Sequence, residues 1–389
     1  MLCVFIDAWN PEYLRHMPFL KSLTKSNLNG FLEVPLGYTG IIASFVTGVM
    51  PKKHGIFDLF VPDNNPRQRI KNPYMLAAIR LLQNKRIFYT PLQVKEASYF
   101  KPSINKTWPQ KNCLPYPTIF DILEQSNKSF EVIDWPNHFK NRKGGIIFSK
   151  SCETVLKMTK KSKADFIFAH FLDLEIAHKY GIKSKETIEA AKNIDDAAKQ
   201  LYEKDKNILF FSDHGMNDIK KEVDIDSEIK KTLSLRGFSG CSEISQISDI
   251  KNLGLRFGKD FVYIVGSTTV EFWFKNSEAK RRVIGLLKVL RYGQIIDKEK
   301  FGIATDSLIF LADFETGFYP NFFSKKRFRA MHGWNPKEQK TFYILKSENR
   351  KAKGRKDAKM VDFMPTILNI MGLQASKAEK SRFDGKSLS

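Results

Sequence analysis

At 389 residues, 42% hydrophobic and 27% charged, the chain is long enough to bury a large core and too apolar to be generally disordered. Lys and Arg outnumber Asp and Glu by 64 to 42, and the resulting +22 favours anionic partners, although a Lys-rich solvated surface accounts for the same excess. Cys3, Cys113, Cys152 and Cys241 are scattered with no CxxC, which excludes a disulfide framework and a thiolate zinc site, and no Lys/Arg-Gly-Phe signature points to obligate nucleic-acid binding.

The chain opens on an apolar run, Leu2 to Ile6, that meets an acid at Asp7. No basic n-region or small-residue cleavage site accompanies it, and no run reaches the roughly eighteen apolar residues of a membrane span, so a cytoplasmic protein is expected. Next, Pro35 to Gly40 reads as a turn with the Thr39 hydroxyl at its tip. It leads into a buried helix from Ile41 to Val49 that Lys52-Lys53-His54-Gly55 closes, with His54 structural. Residues 60–115, rich in Asn, Pro, Lys and aromatics, read as a cap of loops and short helices.

Apolar runs at Phe130 to Ile133, Asp165 to Ala169 and Ile208 to Phe211 each stop against a polar residue, the pattern of strands covered on both faces. Between them Thr187 to Glu203 is helical, with Ile188, Ala191, Ile194, Ala198 and Leu201 at three- and four-residue spacing. Residues 220–305 break the alternation. They predict strands at Phe261 to Ile264 and Val270 to Phe274, a helix from Ser277 to Tyr292 and a closing element near Ile303. Lys346 to Lys359 reads as a basic solvated loop. The expected fold is α/β, with a mostly parallel central sheet flanked by helices. Its core (1–59, 116–219 and 306–389) carries a cap at 60–115 and a small α+β insertion at 220–305.

Asp7, Asp173, His178, Asp213, His214 and His332 supply three carboxylates and three imidazoles, a donor set suited to two divalent cations such as zinc. Two such ions can hold a nucleophile oxygen and a phosphoryl oxygen together, and Thr39 is the alcohol placed for that role. No Walker A loop, no GxGxxG after a strand and no HExxH offers another chemistry.

VFIDAW, MPFLKSL, GYTG with FVTGVMPKKHGI, DLEIAHKYG, FFSDHGM, MHGWNP, VDFMPTILNIMGL and FDGKSL follow one another in an order and spacing that resemble the alkaline phosphatase superfamily, in particular its type I phosphodiesterase and nucleotide pyrophosphatase branch. The resemblance implies that Asp7, Thr39, Asp213 and His214 surround one metal and Asp173, His178 and His332 the other, usually zinc. It also implies that Thr39 is the nucleophile and that the N-terminus of its helix faces phosphate. Leu174 stands where the family carries its acid, so Asp173 is taken as the ligand with Glu175 as the substitute. Gly40, Ile41 and Ile42 stand where an Asn usually follows the nucleophile closely, so phosphate contact is expected from elsewhere. Sulfatase chemistry is not expected, because Cys113-Leu114-Pro115-Tyr116-Pro117 has Pro where the cysteine-modification motif needs Arg.

The implied activity is hydrolysis of phosphodiester or pyrophosphate bonds in a small phosphate ester or nucleotide-like substrate, through a phospho-threonine. A phosphomonoesterase, or a phosphotransferase acting on a glycan or headgroup, is the alternative. A catalytically impaired anionic-ligand binder is the rival of another class. Oligomeric state is not readable from the sequence.

Overall fold

The computed structural model describes residues 1–63, 99–104, 106, 108–134, 138–145, 151–233, 255–321, 327–348, 354–373 and 381–388. Leu2–Ile6 lies inside the main sheet, parallel to Phe166–Phe171 on one side, with Ile6 opposite Phe171, and to Ile208–Phe211 on the other, with Phe5 opposite Phe211. Phe130–Ile133 adds a further parallel strand beside Phe166–Phe171. Thr341–Lys346 runs antiparallel between Ile208–Phe211 and Leu28–Glu33.

Successive side chains of a strand point to opposite faces, and here both faces are covered. Cys3, Phe5, Phe168, Leu209 and Phe211 enter one core with Ile41, Phe45, Phe363 and Met364. Leu2, Val4, Ile6, Ile167, Ala169, Ile208 and Phe210 enter the other with Val155, Ala191, Ile194, Ala198 and Leu201. This is why the strands read as unbroken apolar runs. The helix Lys185–Tyr202 starts where Ser184 accepts the Thr187 N–H at 3.1 Å, and it buries Thr187 and Ala190 where Ile188 had been expected.

Thr39–Thr47 forms the expected helix two residues early, and every one of its residues is buried, so it has no polar face. Gly48, at φ +69°, ends it. The Lys-Lys-His-Gly segment therefore does not close this helix; Pro51–His54 is a separate short helix that stops at Gly55, φ +75°. His54 pins the two together. The Ile56 N–H donates to His54 Nδ1 at 3.0 Å, which leaves the ring proton on Nε2 to be donated to Ser44 Oγ at 3.0 Å.

Phe261–Val265, Thr269–Phe274, Leu308–Ala312 and Gly293–Ile295 form a separate antiparallel sheet in that order, packed on the helix Ser277–Val289. The last strand in sequence to join it is thus Leu308–Ala312, past residue 305, with Gly293–Ile295 at the edge, whereas Ile303 packs with Leu36, Phe57 and Leu311 between this sheet and the turn that carries Thr39. Phe60–Pro62, at the start of the expected cap, pairs with Phe100–Pro102 inside it; residues 64–98, 105 and 107 of that cap, and 349–353 of the basic loop, lie outside the described residues. Among the described residues no helix is long and apolar enough to cross a membrane, and Cys3, Cys113 and Cys152 are free thiols.

Burial pushes the His54 imidazole from 6.5 down to about 4. The unfolded chain therefore takes up this proton first, and the stability carried by the neutral ring is complete above about 6.5 and lost as pH falls toward about 4. Urea midpoints measured across that window should fall more steeply for the unaltered protein than for His54→Gln; parallel profiles would refute the assignment.

Candidate active site

Three neighbouring parallel strands, Leu2–Ile6, Phe166–Phe171 and Ile208–Phe211, end at the same edge of the sheet, where open α/β sheets collect their ligands. The residues that follow them carry the polar groups: Asp7; Glu175 and His178; Asp213 and His214. The loops are tied to one another by side chains. Ser212 Oγ accepts the Trp9 N–H at 3.0 Å and donates to the His214 carbonyl at 2.8 Å. Asn10 Nδ2 donates to the Met216 carbonyl at 2.9 Å. Gln339 joins the His214 loop to the His332 turn, donating to the Gly215 carbonyl at 2.9 Å and accepting the Gly333 N–H at 2.7 Å.

The imidazoles are oriented by their backbone partners. His214 Nδ1–H donates to the Gly215 carbonyl at 3.1 Å, so Nε2 faces Asp213 Oδ2 at 3.3 Å and Asp7 Oδ1 at 3.4 Å. His178 Nδ1–H donates to the Ala330 carbonyl at 2.8 Å, and its Nε2 lies 2.9 Å from Glu175 Oε2. The His332 ring lies flat on that of His214, with centroids 3.5 Å apart and planes 5° from parallel, and 5.4 Å from that of His178. Two overlapping groups result. Glu175, His178 and His332 offer donor atoms within 4.8 Å of one another, as do Asp7, Glu175 and His214.

Charge in this cluster is in conflict. Burial, then the neighbouring Asp7 and Glu175, pushes the Asp213 carboxyl well above its ordinary range. Burial, then His214 and His178, holds His332 well below its own. At Asp7 burial works upward but is outweighed by His170, His214 and His178, and at His178 burial works downward but is outweighed by Glu175. Asp7 Oδ1, Asp213 Oδ1 and Glu175 Oε1 are buried without a hydrogen-bond partner, as is Thr39 Oγ1. A divalent cation answers both conflicts, since it attracts carboxylates and needs neutral imidazoles. The donor set fits one.

Of the residues expected from sequence, Asp7, His178, Asp213, His214 and His332 come together and Asp173 does not. Its Oδ1 accepts the Cys152 N–H at 3.3 Å, and its side chain lines a separate cleft with Glu186 and Glu189. The acid that converges on His178 and His332 is Glu175, for a helical reason. His178 is three positions on from Glu175, which places both on one face, and five positions on from Asp173, which does not. Thr39 stands in the first turn of its helix, and the preceding Tyr38 sets its ring edge-on to His332 with centroids 5.2 Å apart. His170 had not been expected; its Nε2 donates to Asp7 Oδ2 at 3.0 Å. A polar residue inside the fully buried strand FIFAHF was the signal for it.

Such a sheet, with acids and imidazoles gathered beyond its parallel strands, is a fold of the alkaline phosphatase type. The chain belongs to the type I phosphodiesterase / nucleotide pyrophosphatase family, whose model matches residues 1–250, and is a hydrolase of that class; His332 lies beyond the match. Its structure is similar to murine ectonucleotide pyrophosphatase/phosphodiesterase 5, with a TM-score of 0.66 and 13% identity over 97% of this chain and 96% of that one. The human protein of the same name gives 0.65 and 14% over the same shares. An inactive threonine-to-alanine form of the murine protein, in complex with AMP, gives 0.64 and 14%, again over 97% and 96%. At these identities the likeness is one of fold. No sequence among the curated proteins matches the chain.

Removing a direct ligand should cost more than the ~10–100-fold in metal affinity typical of an outer partner. If Glu175 is such a ligand, Glu175→Ala should weaken divalent-metal binding by more than this in a chelator-competition titration with zinc as the probe, while Asp173→Ala stays within about threefold of the unaltered protein. The opposite ranking would restore Asp173 as the ligand.

Proposed function

We propose that the protein hydrolyses phosphodiester or pyrophosphate bonds of a nucleotide-like substrate by two successive displacements through Thr39. The observation that carries this reading is the unpartnered, buried Thr39 Oγ1, in a turn whose Tyr38 abuts His332. The AMP complex of the inactive threonine-to-alanine murine neighbour supports the nucleotide-like substrate. Asp7, Asp213 and His214 would hold one divalent cation, and Glu175, His178 and His332 a second; the nitrogen and oxygen donors favour zinc. Such ions supply Lewis-acid charge beside the phosphoryl oxygens and ease removal of the nucleophile's proton.

The chain's own groups do the rest. Thr39 Oγ1 forms a bond to phosphorus as the bond to the leaving oxygen breaks, giving a phospho-threonine, and water then breaks the new bond and regenerates the hydroxyl. The first turn of Thr39–Thr47 places its positive end at this point. The Gly40 and Ile41 N–H groups, however, already donate to the Phe57 and Tyr38 carbonyls at 3.4 and 3.3 Å. Phosphate therefore meets the dipole of this helix rather than those two donors.

Thr39→Ala should keep fold and zinc content while kcat falls by roughly a thousandfold or more, and Thr39→Ser should keep a working alcohol. Acid quenching with a labelled diester should trap phosphate on the peptide containing Thr39 and none in Thr39→Ala. Full turnover by Thr39→Ala, or label on Ser44, refutes the role. Zinc stripped with a chelator should abolish hydrolysis of bis-p-nitrophenyl phosphate and zinc return should restore it. A preference for p-nitrophenyl phosphate in the same assay would move the reading to a monoesterase.

A further inference from the structure

The small antiparallel sheet reaches the candidate site through a buried hydroxyl as well as through apolar packing. Thr268, fully buried, lies in the tight turn between Phe261–Val265 and Thr269–Phe274, where the Gly266 N–H donates to the Thr269 carbonyl at 2.7 Å. Its Oγ1 donates to the Gly333 carbonyl at 2.9 Å, with the His332 carbonyl at 3.4 Å, and lies 3.2 Å from the Tyr38 hydroxyl. A hydroxyl carries a single proton. With that proton directed at Gly333, Thr268 Oγ1 accepts from the Tyr38 O–H, which also has the His332 carbonyl at 3.5 Å, and burial, which raises the Tyr38 phenol, keeps that donor proton in place.

We propose that Thr268 is a positioning residue for the phosphoryl-transfer site, holding the nucleophile turn and the His332 turn in one register from within the inserted sheet. The proposal rests on the reading of Thr39 and His332 given above. Three observations carry it. Tyr38 is bonded directly to Thr39 in the chain and touches the His332 ring, so the Thr268 hydroxyl joins the turns on which nucleophile and ligand stand. The turn that presents Thr268 is itself held. The Ala312 N–H donates to the Thr268 carbonyl and the Phe318 N–H to the Ser267 carbonyl, each at 2.8 Å, and Asn321 Nδ2 donates to Ser267 Oγ at 3.2 Å. There is also no slack at the junction. Gly333 sits at φ +95°, and a Cβ there would lie 2.7 Å from both Thr268 Oγ1 and the Tyr38 hydroxyl oxygen. A displacement of about 1 Å between reacting groups can cost roughly a hundredfold in rate, so one hydroxyl bridging two turns matters to the chemistry without touching substrate.

The test compares Thr268→Val, which keeps the branched shape and removes the hydroxyl, with Thr268→Ser, which keeps the hydroxyl. Thr268→Val should lower kcat on bis-p-nitrophenyl phosphate by about 10–100-fold with KM within about twofold. It should also weaken zinc binding to the metal-stripped protein by about tenfold. Thr268→Ser should regain both. Unchanged kcat and zinc affinity in Thr268→Val overturn the proposal, as does a serine variant as impaired as the valine one. If Thr268→Val does not fold, Tyr38→Phe removes the hydroxyl at the other end of the contact, together with its 3.5 Å approach to the His332 carbonyl, and a folded Tyr38→Phe with unaltered kcat and zinc affinity also overturns it. In all these cases the unaltered protein binds zinc and turns over. If it does neither, the two-cation reading falls and takes this proposal with it.

Discussion

Buried charge at the carboxyl edge of adjacent parallel strands is what the rest of the molecule has to accommodate. Asp7, Asp213, His214 and His332 are all less than a tenth exposed, and an uncompensated ion in such a place costs several kcal/mol. Each group is therefore held by something rigid. The backbone fixes the histidine tautomers through the Gly215 and Ala330 carbonyls, and Ser212 and Gln339 tie the loops. Gly215 shows how little room remains, since a Cβ there would fall 2.3 Å from the Lys340 carbonyl oxygen. The two apolar cores on either face of the sheet supply the stability against which that charge is set.

The parts of the fold that could be read from sequence are those governed by local pattern. Leu2–Ile6, Phe130–Ile133 and Ile208–Phe211 were readable to the residue, because a strand covered on both faces is apolar without interruption and stops where a polar residue begins. Leu308–Ala312 carries the same kind of apolar run, stopped by Asp313, but its pairing with Thr269–Phe274 lies across a helix and the strand Gly293–Ile295, and nothing local announces that pairing. At the site, the histidines and the acids at strand ends were legible from residue type and order. Glu175 was legible only as the substitute for Asp173; its i, i+3 spacing to His178 separates the two, but only once the segment is known to be helical. Ser212 and Gln339 are invisible for another reason: a hydroxyl or amide that bonds only backbone has no sequence pattern of its own.

The inserted sheet is more than an addition to the surface. Ile309 and Leu311 of that sheet pack with Leu36, in the turn that carries Thr39, and with Phe57, and Trp334, two residues past His332, is buried in the sheet's own core. The turn carrying Thr39 thus lies between two packed layers and takes its position from both. A short, wholly buried helix suits that place, because a segment packed on all sides has few alternative positions.

The placement of Thr341–Lys346 bears on how the molecule is made. This strand separates Leu28–Glu33 from Ile208–Phe211, so the early strand Leu28–Glu33 has no path into the main sheet until residues beyond 341 have left the ribosome. Gln339 and His332 arrive with the same late segment. A growing chain can assemble the parallel centre of the sheet from its first two hundred or so residues, but the acids and imidazoles come into register only once nearly all of it exists, and such long-range pairing is slow. Thr39 is therefore made early, while the turn that carries His332 and the strand that ties Leu28–Glu33 into the sheet reach it late.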